Sequence, residues 1–350
     1  METLYPLKFK PVYQEKIWGG NRLRTYFQRE IPSDSIGESW EVSTHRNGPS
    51  IVTNGPLAGR KFAELIEEQP ENMLGYQAED FPLLFKFLDA SRKLSVQVHP
   101  SDDYAQEVEN EPGKTEMWYV LATEPGAKLV YGLKKGTTQK KLARAIKENR
   151  LEEHLNEVEV EAGDIFFMPA GMVHAIEEGI LLAEIQQNSD TTYRVYDWGR
   201  MGKNGKPRNL HVQKALEVID FSSPPAKKGS EPLTVAKDGY TCSYLAACQY
   251  FAVEKIKVRE NITLPENNKF RVLNALKGQA IIKYTDNTIK FTRGESVFIP
   301  ASHNRIEVEG RVEFLQTYTP PDKIELIQKL KNEGFTAGEI KDLAGITHWN

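Results

Sequence analysis

Four stretches of this chain place ligand-type side chains at strand spacing. In KLSVQVHP (93–100), Leu94, Val96 and Val98 alternate with Ser95, Gln97 and His99. In an extended strand the second set shares one face. In GKTEMWYVL (113–121), Lys114, Glu116 and Trp118 share a face, opposite Thr115, Met117 and Tyr119. His174 stands just past a Pro169–Ala170 corner. In GILLAEIQQNSDTTYRVYDWGR, Glu184 and Gln186 share one face of a strand, and Arg194, Tyr196 and Trp198 share one face of the following strand. Two imidazoles (His99, His174), the Glu116 carboxylate and the Gln97 amide oxygen form a mixed nitrogen–oxygen set. Such a set suits zinc with open positions, or another first-row divalent ion. Two histidines argue against all-oxygen magnesium or calcium coordination. Each residue alone has an ordinary structural reading; the shared alternation carries the case. Lys86, inside PLLFKFLD, reads on its own as a strand lysine reaching outward.

The elements that must hold these side chains are mostly strands. Short runs of alternating apolar and polar residues are bounded by Gly, Pro, Asn or Asp. They predict strands at 93–99, 116–122, 180–186, 193–198, 251–258, 270–276, 280–285 and 311–318. Helical patterns are fewer: 61–68, 138–149, 212–218, and 322–333 with Asp322 as N-cap. An internal repeat organises the chain. GDIFFMPAGMVHAIEEG (163–179) and GESVFIPASHNRIEVEG (294–310) share the glycine, acid, apolar cluster, Pro-Ala and closing Glu-Gly. The expected fold is mainly β, with two homologous barrels, helical decorations and a C-terminal helical extension. Expected domains are 1–225, holding the metal, 233–320, and the extension 321–350, with SSPPAKKGSEP (222–232) as a linker. Where the first copy has His174, the second has Arg305, whose guanidinium has no lone pair to donate. One metallated barrel and one degenerate barrel follow.

Net charge is −4, with acids and bases interspersed and no basic stripe. That speaks against nucleic acid and membrane surfaces as partners. The N-terminal segment lacks a basic region followed by an apolar run, and no apolar stretch is long enough to span a bilayer. A cytoplasmic protein is expected, monomeric or weakly homo-oligomeric. Cys242 and Cys248 do not form a CxxC and read as free thiols, so any metal must come from His and carboxylate ligands.

The segments QVHP, GKTEMWYVL, GDIFFMPAGMVHAIEEG and NSDTTYRVYDWGR together resemble the type I phosphomannose isomerases, in that family's order, from KIWGG to about residue 318. The resemblance is to the short bacterial and archaeal branch. It implies cupin (jelly-roll) barrels, one zinc ion per chain held by Gln97, His99, Glu116 and His174, and interconversion of mannose 6-phosphate and fructose 6-phosphate through a cis-enediol. It places the family's active-site arginine on Arg194, its lysine on Lys114 and its acidic residue on Glu184. Glu184 and Lys114 are rival proton carriers. Lys86 and Ser95 are the candidates for the substrate phosphate, since no Gly-rich phosphate loop opens a helix here. Three alternatives remain open: a two-His-one-carboxylate iron oxygenase, a non-catalytic sugar-sensing cupin, and an isomerase of another sugar phosphate.

Overall fold

The computed structural model describes residues 3–202, 205–222, 229–303 and 305–349; most of the expected linker lies outside them. Strands predominate among the described residues. The chain divides into two compact units. One comprises Tyr13–Ser39 and Lys86–Gly229; the other holds the residues up to Val12, Trp40–Phe85 and the chain from Ser230 on.

The unit that carries the site residues has two sheets. One runs in the order Val12–Gly20, Ile36–Val42, Leu83–Ala90, Ile180–Gln187, Glu116–Thr123, Ile165–Met168, with its first three strands contributing residues to both units. The other runs Tyr193–Tyr196, Val96–Val98, His174–Ile176, Lys128–Leu133, Leu155–Glu159. Their inner faces share a core in which Trp118, Val120, Phe166 and Leu182 meet Leu129, Tyr131 and Ile176. The outer face of the second sheet buries Val96, Val98, Tyr193 and Val195 under the helices Gln139–Lys147 and Val212–Val218, through Leu142 and Ala215. Val96 and Val98 therefore point outward, as their alternation predicts. Leu94 does not: the regular strand begins only at Val96, and Leu94 joins the inner core. Because Leu142 is fully buried behind the strand bearing Gln97, Leu142→Ala is expected to cost about 2–4 kcal/mol of stability. Denaturant unfolding would measure this.

The second unit centres on Arg271–Tyr284, paired antiparallel with Glu307–Tyr318. Two strands, 270–276 and 280–285, are expected there; the structure has one. Gly278 is not a turn but sits in the strand next to a register shift between Ala275 and Lys277. Its φ is 75°, and a Cβ would meet Arg311 O at 2.3 Å, so the bulge requires glycine. The expected domain limits follow chain order, whereas the compact units do not. Leu7–Lys8 pairs with Ser296–Ile299, and Phe62 and Phe81 pack against Phe270 and Phe298. These contacts tie N-terminal segments to the unit that begins at Ser230. The two repeat copies match locally, each with a strand (Ile165–Met168, Ser296–Ile299) leading into its proline. They part at the metal position. His174 is buried, while Arg305 is exposed and lies 3.9 Å from Glu307.

The helices Lys323–Asn332 and Ala337–Asp342 are capped by Asp322 and Thr336. Leu326, Leu330, Ile340, Leu343 and Trp349 join the core of this second unit. The short helices Arg22–Phe27, Pro70–Leu74 and Asp102–Glu109 were not expected. Each has too few turns for an apolar period to stand out.

Candidate active site

Six strands, three from each sheet, bring the expected residues to one end of the interior between the two sheets. Gln97 sits opposite both His174 and Arg194, and Glu116 opposite Gln186. Paired residues in antiparallel strands share a face, so these side chains all project inward.

His99, Glu116 and His174 are buried, and their ligand atoms lie within 4.8 Å of one another. His99 Nε2 is 3.5 Å from Glu116 Oε2, and His174 Nε2 is 3.3 Å from Glu116 Oε1. Each imidazole is oriented from behind. His99 Nδ1 lies 2.9 Å from the Thr191 carbonyl, and His174 Nδ1 lies 2.9 Å from the Met172 carbonyl. A ring nitrogen facing a carbonyl must carry the proton, which leaves both Nε2 lone pairs pointing at Glu116. Burial, then the Lys114 ammonium, holds His99 well below its ordinary pKa and lowers His174 to about 4. Both rings are therefore neutral, the form that donates to a metal. Glu116 Oε1 is buried without a hydrogen-bond partner among the described residues. Neutral inward lone pairs and an unsatisfied buried carboxylate oxygen fit a divalent cation such as zinc. Gln97 is at the edge of the group, with Nε2 placed 3.3 Å from His174 Nε2. A half-turn of the amide would present its oxygen instead.

Lys114 Nζ lies 3.0 Å from His99 Nε2 and 2.5 Å from Glu116 Oε2, placing a cation beside the ligand set. Glu184 is 4% exposed and accepts from Trp118 Nε1 at 2.9 Å. Burial, then the Glu116 charge, raises its pKa; Lys86 and Lys114 pull the other way. Lys86 Nζ is 3.3 Å from Glu184 and 3.9 Å from Glu38. Burial opposes its charge, but Glu184, Glu38, Asp190 and Glu116 together raise its pKa and keep it an ammonium. Arg194 is half-buried, donating from Nε to Ser95 Oγ at 3.2 Å and from Nη1 to Asn209 O at 2.9 Å. Beyond the histidine–glutamate cluster, the site thus holds the buried Glu184 carboxylate between Trp118 and Lys86, with the Arg194 guanidinium at its edge.

All nine expected site residues lie in this unit. Four neighbours were missed. Glu38 reaches Lys86 from a strand whose GESWEV pattern carries no chemical signature. The Thr191 and Met172 carbonyls are backbone groups, invisible to a search by side-chain type. His211, set aside in the sequence as structural, accepts from the Arg194 backbone N–H through Nδ1 at 3.2 Å.

A mainly-β fold with a buried two-histidine, one-carboxylate cluster and adjacent acid and cations defines a β-sheet enzyme with a candidate metal centre. Comparisons with known proteins narrow the class. Residues 6–125 match the phosphomannose isomerase type I catalytic domain, and residues 240–319 match the mannose-6-phosphate isomerase cupin domain. A mannose-6-phosphate isomerase of Bacillus subtilis is 38% identical over 317 residues, covering 90% of this chain and 99% of its own. One from Streptococcus mutans is 35% identical, covering 90% and 98%. The crystal structure of a Bacillus subtilis mannose 6-phosphate isomerase superposes with a TM-score of 0.85 at 35% identity, covering 90% of this chain and all of the other. The chain belongs to the type I phosphomannose isomerase family and is an isomerase.

Proposed function

We propose that this enzyme interconverts mannose 6-phosphate and fructose 6-phosphate, using one zinc ion held by His99, Glu116 and His174, with Gln97 as a fourth ligand after its amide turns. The observation that carries the reading is the buried neutral-histidine pair around the unsatisfied Glu116 oxygen, with Glu184 beside it. The relatives named above supply the substrate.

Aldose–ketose exchange moves a proton between C1 and C2 through a cis-enediol. Zinc, when bound, supplies the Lewis acid that acidifies that proton and steadies charge on the substrate oxygens. Glu184 is the proton carrier. Its raised pKa brings a carboxylate closer to neutrality, which suits a group that must both accept and return a proton. Trp118 and Lys86 hold that carboxylate in place. Lys114 steadies oxygens near the ligand set. Arg194 adds positive charge where the enediolate develops, and Ser95 keeps the guanidinium oriented. The Lys86 ammonium is committed to Glu184 and Glu38, which weighs against it as the group that holds the substrate phosphate. We also read the two units as two cupin barrels descended from the repeat, the second without metal and with 321–350 as a helical extension. No described helix is long and apolar enough to cross a membrane. The assigned setting is the cytoplasm, as a monomer or weak homo-oligomer.

One assay tests the core of this reading. Isomerase activity on mannose 6-phosphate should be lost on chelation and return with zinc alone. A folded, zinc-loaded protein that leaves mannose 6-phosphate unchanged would defeat the substrate assignment. Lys86→Met supplies a second test. Removing its charge removes a pull that lowers the Glu184 pKa, so that pKa should rise. The acid limb of the kcat–pH profile should then move to higher pH. An unmoved limb would separate Lys86 from Glu184.

A further inference from the structure

In the sheet that carries Glu116, the strands Val12–Gly20, Ile36–Val42, Leu83–Ala90 and Ile180–Gln187 are neighbours in that order. Each contributes one charged side chain to a single line: Lys16, Glu38, Lys86 and Glu184. Lys16 Nζ lies 2.9 Å from Glu38 Oε1. Lys86 Nζ lies 3.9 Å from Glu38 Oε2 and 3.3 Å from Glu184 Oε1. The signs alternate, and burial deepens along the line. Side-chain exposure falls from 32% at Lys16 to 12% at Glu38, 5% at Lys86 and 4% at Glu184. The line therefore runs from solvent to the proton carrier, and all four residues belong to one compact unit.

The inner half of the line is the part that matters for chemistry. Charges a few ångströms apart interact more strongly away from water. A lysine ammonium is a compact charge on a flexible stem, and Lys86 offers one such charge to two carboxylates. What Glu38 takes of it, Glu184 loses. Lys16 holds the outer oxygen of Glu38, which leaves the inner oxygen facing Lys86. Other charges bear on the pair as well. Burial, then the Glu116 charge, raise the Glu184 pKa; Lys86 and Lys114 lower it, and Glu38 raises it further. Asp190 and Glu116 also act on Lys86, and His174 faces Glu184 as a neutral ring. The two effects of Glu38, repelling charge on Glu184 and drawing Lys86 away from it, have the same sign.

We propose that Glu38 is a positioning residue for the isomerisation, dividing the Lys86 ammonium with Glu184 and so limiting how firmly that ammonium holds the proton carrier. The inference rests on Glu184 being that carrier.

The test compares kcat–pH profiles of zinc-loaded wild type and Glu38→Gln on mannose 6-phosphate. With Glu38 neutral, Lys86 leans wholly on Glu184, which becomes a weaker base. A weaker base stays unprotonated to lower pH but takes a proton less readily. Relative to wild type, kcat should rise about threefold on the acid limb and drop about threefold on the plateau, so that the profiles cross while KM changes little. A structural defect would instead lower kcat at every pH. In a Lys86→Met background, Glu38→Gln should lose most of its effect. If Glu38→Gln fails to fold, Lys16→Met at the exposed end replaces it with the opposite sign. Glu38 then draws more on Lys86, and kcat on the acid limb should fall about twofold. Profiles that do not cross, a full Glu38→Gln effect without Lys86, or an acid limb unmoved by Lys16→Met where that variant stands in, would overturn the inference. Glu184→Gln tells this failure from failure of the reading beneath it. Wild-type kcat in that variant removes the carrier assignment and the inference with it. A large loss there, beside Glu38→Gln profiles that do not cross, removes only the role of Glu38.

Discussion

His174→Ala is expected to strip the protein of zinc and lower isomerase activity by at least about 10³-fold, with the fold intact. Three observations set this magnitude. His174 is one of only two imidazoles in the cluster, and its Nε2 stands 3.3 Å from the Glu116 oxygen that has no other partner. Burial lowers its pKa to about 4, so the ring is neutral and able to donate to a cation near neutral pH. Without it, Glu116 and His99 remain, and Lys114 already bonds to both. An internal ammonium then outcompetes an external ion held by two ligands. The strand His174–Ile176 would persist, because Ala175 and Ile176 supply its packing. Metal analysis after dialysis, circular dichroism and the isomerase assay give three independent readings. Retained zinc with retained activity would place the metal centre elsewhere.

What could be read in advance at this site follows from strand geometry. His99, Glu116 and Arg194 were legible because a period of two fixes which side chains share a face, and because pairing keeps that face across neighbouring strands. His174 was legible from the repeat, whose proline corner sets its position in both copies. The same reasoning failed where the period is interrupted. Leu94 was grouped with Val96 and Val98 because it continues their alternation, but the strand had not yet begun and Leu94 joins the inner core instead. Residues 270–276 and 280–285 were read as two strands because glycine usually breaks a strand, yet Gly278 at positive φ keeps 271–284 continuous. Charge partners across sheets were beyond reach altogether. Lys86 was assigned to phosphate from its type, and only the fold shows Glu184 and Glu38 on either side of it. Backbone carbonyls that fix imidazole tautomers belong to the same class, since any residue can supply them.

Glu184→Gln separates chemistry from metal binding. It is expected to lower kcat by about 10²–10⁴-fold, the usual worth of a positioned proton carrier, while zinc stays bound and KM changes little. Glutamine has the same shape and can still accept from Trp118 Nε1, so the wall of the site is preserved. What it lacks is a basic oxygen. The pH dependence gives a sharper reading. Burial and the Glu116 charge raise the Glu184 pKa above the ordinary carboxylate value of about 4.3. A base works only when unprotonated, so wild-type kcat should fall as pH drops through that raised pKa. Stability carries the opposite sign. A raised carboxyl pKa favours the fold below the unfolded-state value, and this contribution fades as pH rises through the folded one. Acid should therefore switch off catalysis before it unfolds this site. In Glu184→Gln, the acid limb should vanish from the residual kcat. If the limb survives unchanged, Lys114 becomes the proton carrier, because it is the other titratable group within reach of the reacting oxygens. Lys114→Met, with zinc retained, would then show the loss that Glu184→Gln did not.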